Sequence, residues 1–156
     1  MAGRAHKAML VLAVAGLGVA TYLTYIHYAG IKPLCTAGGS CLKVQTSVYS
    51  KLDGVPVALI GALGYTAILI TLLLPQGERT RLVTLMLTSG GFAFSLYLTY
   101  RELFSIHAIC EWCVSSASIM TLLEVLAVAR FLRGDPLPAE SRAAEAPPPK
   151  LAQASR

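Results

Sequence analysis

Four long stretches of this chain carry almost no charge. Residues 8–29 hold none apart from the titratable His27, and 56–74 and 82–100 hold none at all. Residues 110–131 are apolar from Val114 onward, with Glu124 as the one acid inside that run. At about 1.5 Å of rise per residue, some 20 residues cross the roughly 30 Å hydrocarbon core of a bilayer. The pattern predicts four membrane-spanning helices, at about 8–29, 56–74, 82–100 and 110–131. Arg4, His6 and Lys7 before the first run resemble the front of a signal peptide, but about 22 residues exceed the roughly 15 of a typical apolar signal core. The first run is read as a retained span, with Tyr22, Tyr25 and Tyr28 near its far interface.

The connections are polar. Residues 31–55 leave the membrane and include the glycine-bearing turn Thr36-Ala37-Gly38-Gly39-Ser40. Val44, Val48 and Leu52 then recur every four residues, with Gln45, Ser50 and Lys51 elsewhere on the wheel, which predicts a short amphipathic helix on the bundle surface. Gly54 can end that helix, and Pro56 suits the first turn of the next. Residues 75–81 form a tight polar turn. Gly90-Gly91, inside the third span, is expected to allow close helix packing. Beyond Gly134 the chain is rich in Ala, Pro and Glu without apolar periodicity, and is expected to be disordered. The organisation is a four-span membrane domain over 1–133 and a tail over 134–156.

Composition agrees with this reading. Of 156 residues, 55% are hydrophobic and only 13% charged, against about 25% charged in soluble domains. The fold class is all-α integral membrane: a four-transmembrane-helix bundle carrying an extracytoplasmic cysteine loop. The formal net charge of +5 resides in bases that flank apolar runs, so it orients the chain and does not point to nucleic acid. Arg4, Lys7, Arg79, Arg81, Arg130, Arg133, Arg142, Lys150 and Arg156 fall on one side, and Lys32, Lys43, Lys51 and Arg101 on the other. That imbalance places both termini in the cytosol and all four cysteines on the opposite, oxidising face of an inner (plasma) membrane.

The cysteines form two pairs. Cys110-Glu111-Trp112-Cys113 opens the fourth span, and Cys35-x5-Cys41 lies in the loop after the first. Residues three apart share one helix face, and a helix N-terminus with its free N–H groups favours a thiolate, so Cys110 is expected to be exposed there and activated. A flexible pair beside a helix-terminal pair suits a relay, in which the loop exchanges with a soluble protein and the membrane pair with a lipid-soluble acceptor. Two structural disulfides in a non-catalytic scaffold are the plainer alternative. A zinc site fits less well, because C-x5-C departs from the usual C-x2–4-C spacing.

These residues carry a resemblance. Cys35 and Cys41, Ser47 six residues later, Gly54-Val55-Pro56-Val57-Ala58 opening the second span and Cys110-x-x-Cys113 opening the fourth are similar to the motifs of the vitamin K epoxide reductase family, over nearly all of 8–133. The resemblance implies a four-helix bundle around a quinone, of the menaquinone, ubiquinone or vitamin K type, capped by the cysteine loop and short helix. It implies a quinone-linked, disulfide-forming oxidoreductase that takes electrons from a thioredoxin-fold, DsbA-like protein. Cys35 would meet that partner, Cys41 would pass electrons to Cys110, and Cys113 would face the quinone ring beside Val57, Ile60 and Ala117. Ser47 corresponds to a family serine near the active cysteines. The animal enzymes carry a quinone-binding tyrosine where this chain has Ala117, and many bacterial members carry a fused thioredoxin-like domain absent from these 156 residues, so the partner is expected to be a separate protein. A DsbB-like quinone-linked oxidase of another family shares the chemistry and the four spans.

Other residues invite weaker readings. His107, three before Cys110, could stabilise a thiolate or simply sit at the interface. His27 reads as one polar group among interfacial tyrosines. Glu124, about 16 Å deeper than Cys113 at helical rise, should face the bundle interior or be protonated. Trp112 reads as an interface anchor, and Ser115, Ser116 and Ser118 as packing residues.

Overall fold

The structure, a computed structural model, describes residues 2–32, 43–44, 46–47, 50–52 and 54–133. The expected tail, Cys35, Cys41, Gln45 and Val48 lie outside the described residues. Within them the apolar runs become four helices: α1 (Ala2–Ala29), α2 (Val57–Leu73), α3 (Glu78–Arg101) and α4 (Glu111–Leu132). Gly3–Ala29, Glu78–Ser105 and Glu111–Leu132 are each long and apolar enough to cross a membrane, and Val57–Leu73 is a shorter apolar helix. The helices pack in a closed ring, α1 against α2 and α4, and α3 against α2 and α4.

The core lies on the axis of that ring. Met9, Ala13, Ala20, Tyr65, Ile68, Leu72, Met120, Leu123 and Ala127 are buried together there. Large apolar side chains such as Val11, Leu63, Leu96 and Val125 point outward and are more than half exposed, as expected where lipid is the solvent. Small residues let the helices close. A Cβ on Gly16 would collide with the ring of Tyr65, and one on Gly91 would meet Met120 at 2.9 Å. Of the Gly90-Gly91 pair expected to pack closely, Gly91 does so against α4, whereas Gly90 has nothing within 4 Å of an added Cβ and lines the cavity.

The helix ends are closed by identifiable groups. Gln76 Nε2 donates to the carbonyls of Thr71, Leu72 and Leu74 at 3.0, 3.1 and 2.9 Å, which satisfies acceptors that the end of α2 leaves open. Arg130, near the end of α4, reaches Gln76 Oε1 at 3.4 Å and Met9 Sδ at 3.5 Å. One end of the bundle therefore gathers the start of α1, the α2–α3 turn and the end of α4, with the basic residues of the larger charge group that are described. The opposite end carries the capping segment and Cys110.

That capping segment departs from the expected helix. Lys43 and Val44 are helical, but Lys51–Leu52 is a short strand, β1, paired antiparallel with Val55–Pro56, β2. Leu52 thus belongs to a hairpin and not to a helix continuing from Val44. Gly54 sits in the turn at φ 85, a left-handed conformation open to glycine. Pro56, at φ −60, precedes α2 directly.

Candidate functional site

The thiol end of the site is built where α3 hands over to α4. After Arg101 the helix widens into a single π-turn, Glu102–Ile106, and stops at His107, whose φ of 50 is left-handed. The N–H groups of His107 and Ala108 both return to the Glu102 carbonyl, the latter at 3.3 Å. Three residues later Cys110 stands extended (φ −102, ψ 113) before the first turn of α4, and Cys113 lies within that turn.

Cys110 and Cys113 carry free thiols and differ in surroundings. Cys110 is 0% exposed, packed with Val44 and Ala108 and flanked by Trp112 and Cys113. This corrects the expectation of an exposed Cys110: Val44, from the capping segment, lies against it. A hydrogen bond from the Cys113 thiol, with N–H groups of Cys113 and Trp112, holds the Cys110 thiol below the ordinary thiol range, outweighing burial and the nearby Glu102 carboxylate.

Cys113 faces a cavity of about 400 Å³ between the four helices, lined mainly by apolar groups. The structure brings Ser47, Val57, Ile60, Cys113 and Ala117 to this one cavity, five of the residues singled out from the sequence. Cys110 stands behind Cys113 and does not line it. Ser47 is fixed by its own turn: its Oγ donates to the Val44 carbonyl at 2.7 Å and its N–H to the same oxygen at 3.2 Å. The volume lies within the roughly 300–1,000 Å³ of small-molecule sites. The wall is mainly apolar, with the Cys113 thiol and a few polar side chains set into it.

Several lining residues were not singled out. Glu102, 6% exposed, lines the cavity; its Oε2 accepts the Cys110 N–H at 3.4 Å and its carboxyl also bonds the Cys113 thiol. Tyr65, 1% exposed, lines it from α2 and bonds the Ser116 carbonyl at 2.9 Å and Ser116 Oγ at 3.0 Å. His27 and Arg101 are also on the wall. In sequence Glu102 follows Arg101 and resembles one half of an interfacial charge pair, and His27 sits among tyrosines. The only sequence signal for Glu102 was its place eight residues before Cys110.

The weaker readings sort by position. Trp112 packs on Tyr22 with ring centroids 4.8 Å apart and does not line the cavity. His107 is exposed. Glu124 accepts from Thr88 Oγ1 at 2.6 Å and Ser89 Oγ at 2.8 Å, between α3 and α4 and away from the cavity. Ser115 and Ser118 donate to carbonyls one turn back, whereas Ser116 holds Tyr65. No cluster of three or more potential metal ligands occurs among the described residues.

A family model described as the vitamin K epoxide reductase family matches residues 7–128 of this chain.

Proposed function

The chain belongs to the vitamin K epoxide reductase family and is a membrane thiol oxidoreductase, and we propose that it forms disulfides by passing electrons from a thioredoxin-fold protein to a membrane quinone. The observation that carries this reading is the position of Cys113. The inner member of the C-x-x-C pair opens onto an apolar, quinone-sized cavity, while its neighbour Cys110 is turned away toward the capping segment.

In this reading Val57, Ile60 and Ala117 hold the ring against Cys113, and Ser47 lies at the rim. A bound quinone supplies an acceptor for two electrons and two protons. The chain's own residues do the rest. Cys110 and Cys113 close to a disulfide as they are oxidised, and the apolar wall keeps water from the sulfurs. Cys35 meets the partner and Cys41 hands electrons to Cys110 by thiol–disulfide exchange. Support for the last step comes from Val44, which packs on Cys110. Cys41 precedes Val44 by three residues, and three peptide units reach at most about 11 Å. In this reading the cysteine end faces the extracytoplasmic side of the inner membrane, where the thioredoxin-fold partner acts, with the basic end in the cytosol.

The relay is tested by trapping it. In Cys113→Ala, Cys110 has no intramolecular competitor, so its thiolate should attack Cys41 of the Cys35–Cys41 disulfide, release Cys35 as a thiol and accumulate as a Cys41–Cys110 bridge, read by peptide mapping after acid quench. A preparation holding only Cys35–Cys41, with Cys110 free, would remove the inter-pair step.

A further inference from the structure

Among the described residues that line the cavity, Glu102 is the single carboxylic acid. It stands where the two thiols and the cavity meet. Its carboxyl accepts the Cys110 backbone N–H at 3.4 Å, competes with the Cys110 sulfur for the single Cys113 S–H, and forms part of the cavity wall. The π-turn makes this possible. The Glu102 carbonyl is already engaged by His107 and Ala108 N–H groups, so the side chain is anchored at its own backbone and directed at the start of α4. At 6% exposure it exchanges protons with bulk water poorly. The other titratable or charged groups on the wall are His27 from α1, Tyr65 from α2, Arg101 beside Glu102, and Cys113 itself from α4. Of these, Tyr65 is occupied by Ser116.

We propose that Glu102 is the catalytic acid–base of the membrane step: its carboxylate takes the proton of the Cys113 thiol and returns it to the reduced acceptor. The assignment rests on the quinone reading of the cavity. Oxidation of the pair breaks two S–H bonds and forms one S–S bond, releasing two electrons and two protons. Both electrons pass to the quinone, which becomes hydroquinone. The Cys113 proton travels by way of Glu102, and the second proton taken up by the hydroquinone balances the one that Cys110 releases on ionising. Glu102 ends as it began, a carboxylate, so no further reactant is consumed. A proton relay of this kind serves a site closed to water, because a sulfur held as S–H is a poor nucleophile. Positioned acid–base groups contribute about 10²–10⁴-fold in rate.

Glu102 also ties the turn to α4, so the test must separate chemistry from packing. Glu102→Gln keeps an oxygen to accept the Cys110 N–H but cannot take the proton. Two rates are measured on full-length protein in detergent: quinone reduction by the prereduced protein, and modification of Cys113 by a small uncharged alkylating reagent, located by peptide mapping. Quinone reduction falls by about 100-fold, and Cys113 alkylation falls with it, because the thiol has lost the base that takes its proton. Glu102→Asp, which restores an acid, recovers part of both rates, a rescue that a purely structural role would not give, and covers the case in which the glutamine variant does not fold. Either rate unchanged in Glu102→Gln, or neither recovered in Glu102→Asp, overturns the assignment. If the wild type reduces no quinone, the reading of the cavity fails, and the alkylation arm still decides on Glu102: a lower rate in Glu102→Gln that Glu102→Asp recovers upholds the base, and an equal or higher rate overturns it.

Discussion

A thiol that receives a hydrogen bond from a neighbouring thiol loses its proton at lower pH than an isolated one. Cys110 is in that position, with Cys113 as the principal donor. Because its pKa is lowered, Cys110 is the first of the pair to ionise as pH rises and stays ionised until pH falls below that lowered value. The reduced protein should therefore show thiolate absorbance with a first midpoint below the ordinary thiol range, and Cys113→Ala should move that midpoint upward. An unchanged midpoint would separate the two sulfurs. Ser47 makes a complementary case. Ser47 lines the cavity, and its hydroxyl donates within its own turn, a contact worth about 1 kcal/mol. In Ser47→Ala, thermal melting should drop by only about 2–4 °C, while thiol oxidation slows several-fold. Equal losses in both would make the serine structural.

At the scale of elements, the site depends on how closely α1 can approach α2. Tyr65 is wedged against Gly16 and held at its hydroxyl by Ser116, so its ring cannot yield to a larger residue. Gly16→Ala should destabilise by about 1–3 kcal/mol through overpacking, read as a lowered melting temperature in detergent. Gly18→Ala, where nothing lies within 4 Å of the added Cβ, should not. The four apolar helices were legible in the sequence because lipid demands uninterrupted apolar runs, and the C-x-x-C announced the start of α4 to within one residue. The capping segment was not. Val44, Val48 and Leu52 mimic helical period, but Gly54 at φ 85 turns the chain back and pairs Lys51–Leu52 with Val55–Pro56. Glu102 was hidden for a related reason. Only the π-turn, ended by left-handed His107, folds an apparently interfacial acid beneath Cys110, and no periodicity in the sequence marks a π-turn. His27 entered the cavity wall from a helix position that reads as interfacial.

At the scale of the whole molecule, the bundle has two unlike ends. One carries Arg130, Gln76 and the start of α1. The other carries Val44, Cys110 and Glu102 around the mouth of the site. In the proposed orientation the base-rich first end faces the cytosol, which predicts that a membrane-impermeant thiol reagent labels Cys35 in intact cells after mild reduction. Labelling only after the membrane is broken would invert the orientation. The central claim is that electrons leave the thiols through Cys113 into a quinone held in the cavity. It is tested most directly by giving purified full-length protein a reduced thioredoxin-fold dithiol protein and a membrane quinone under exclusion of oxygen, and following the quinone spectrum. The account predicts one hydroquinone formed for each disulfide gained by the partner, with the signal abolished in Cys113→Ala. Disulfides formed without hydroquinone, or hydroquinone formed equally well by Cys113→Ala, would contradict it.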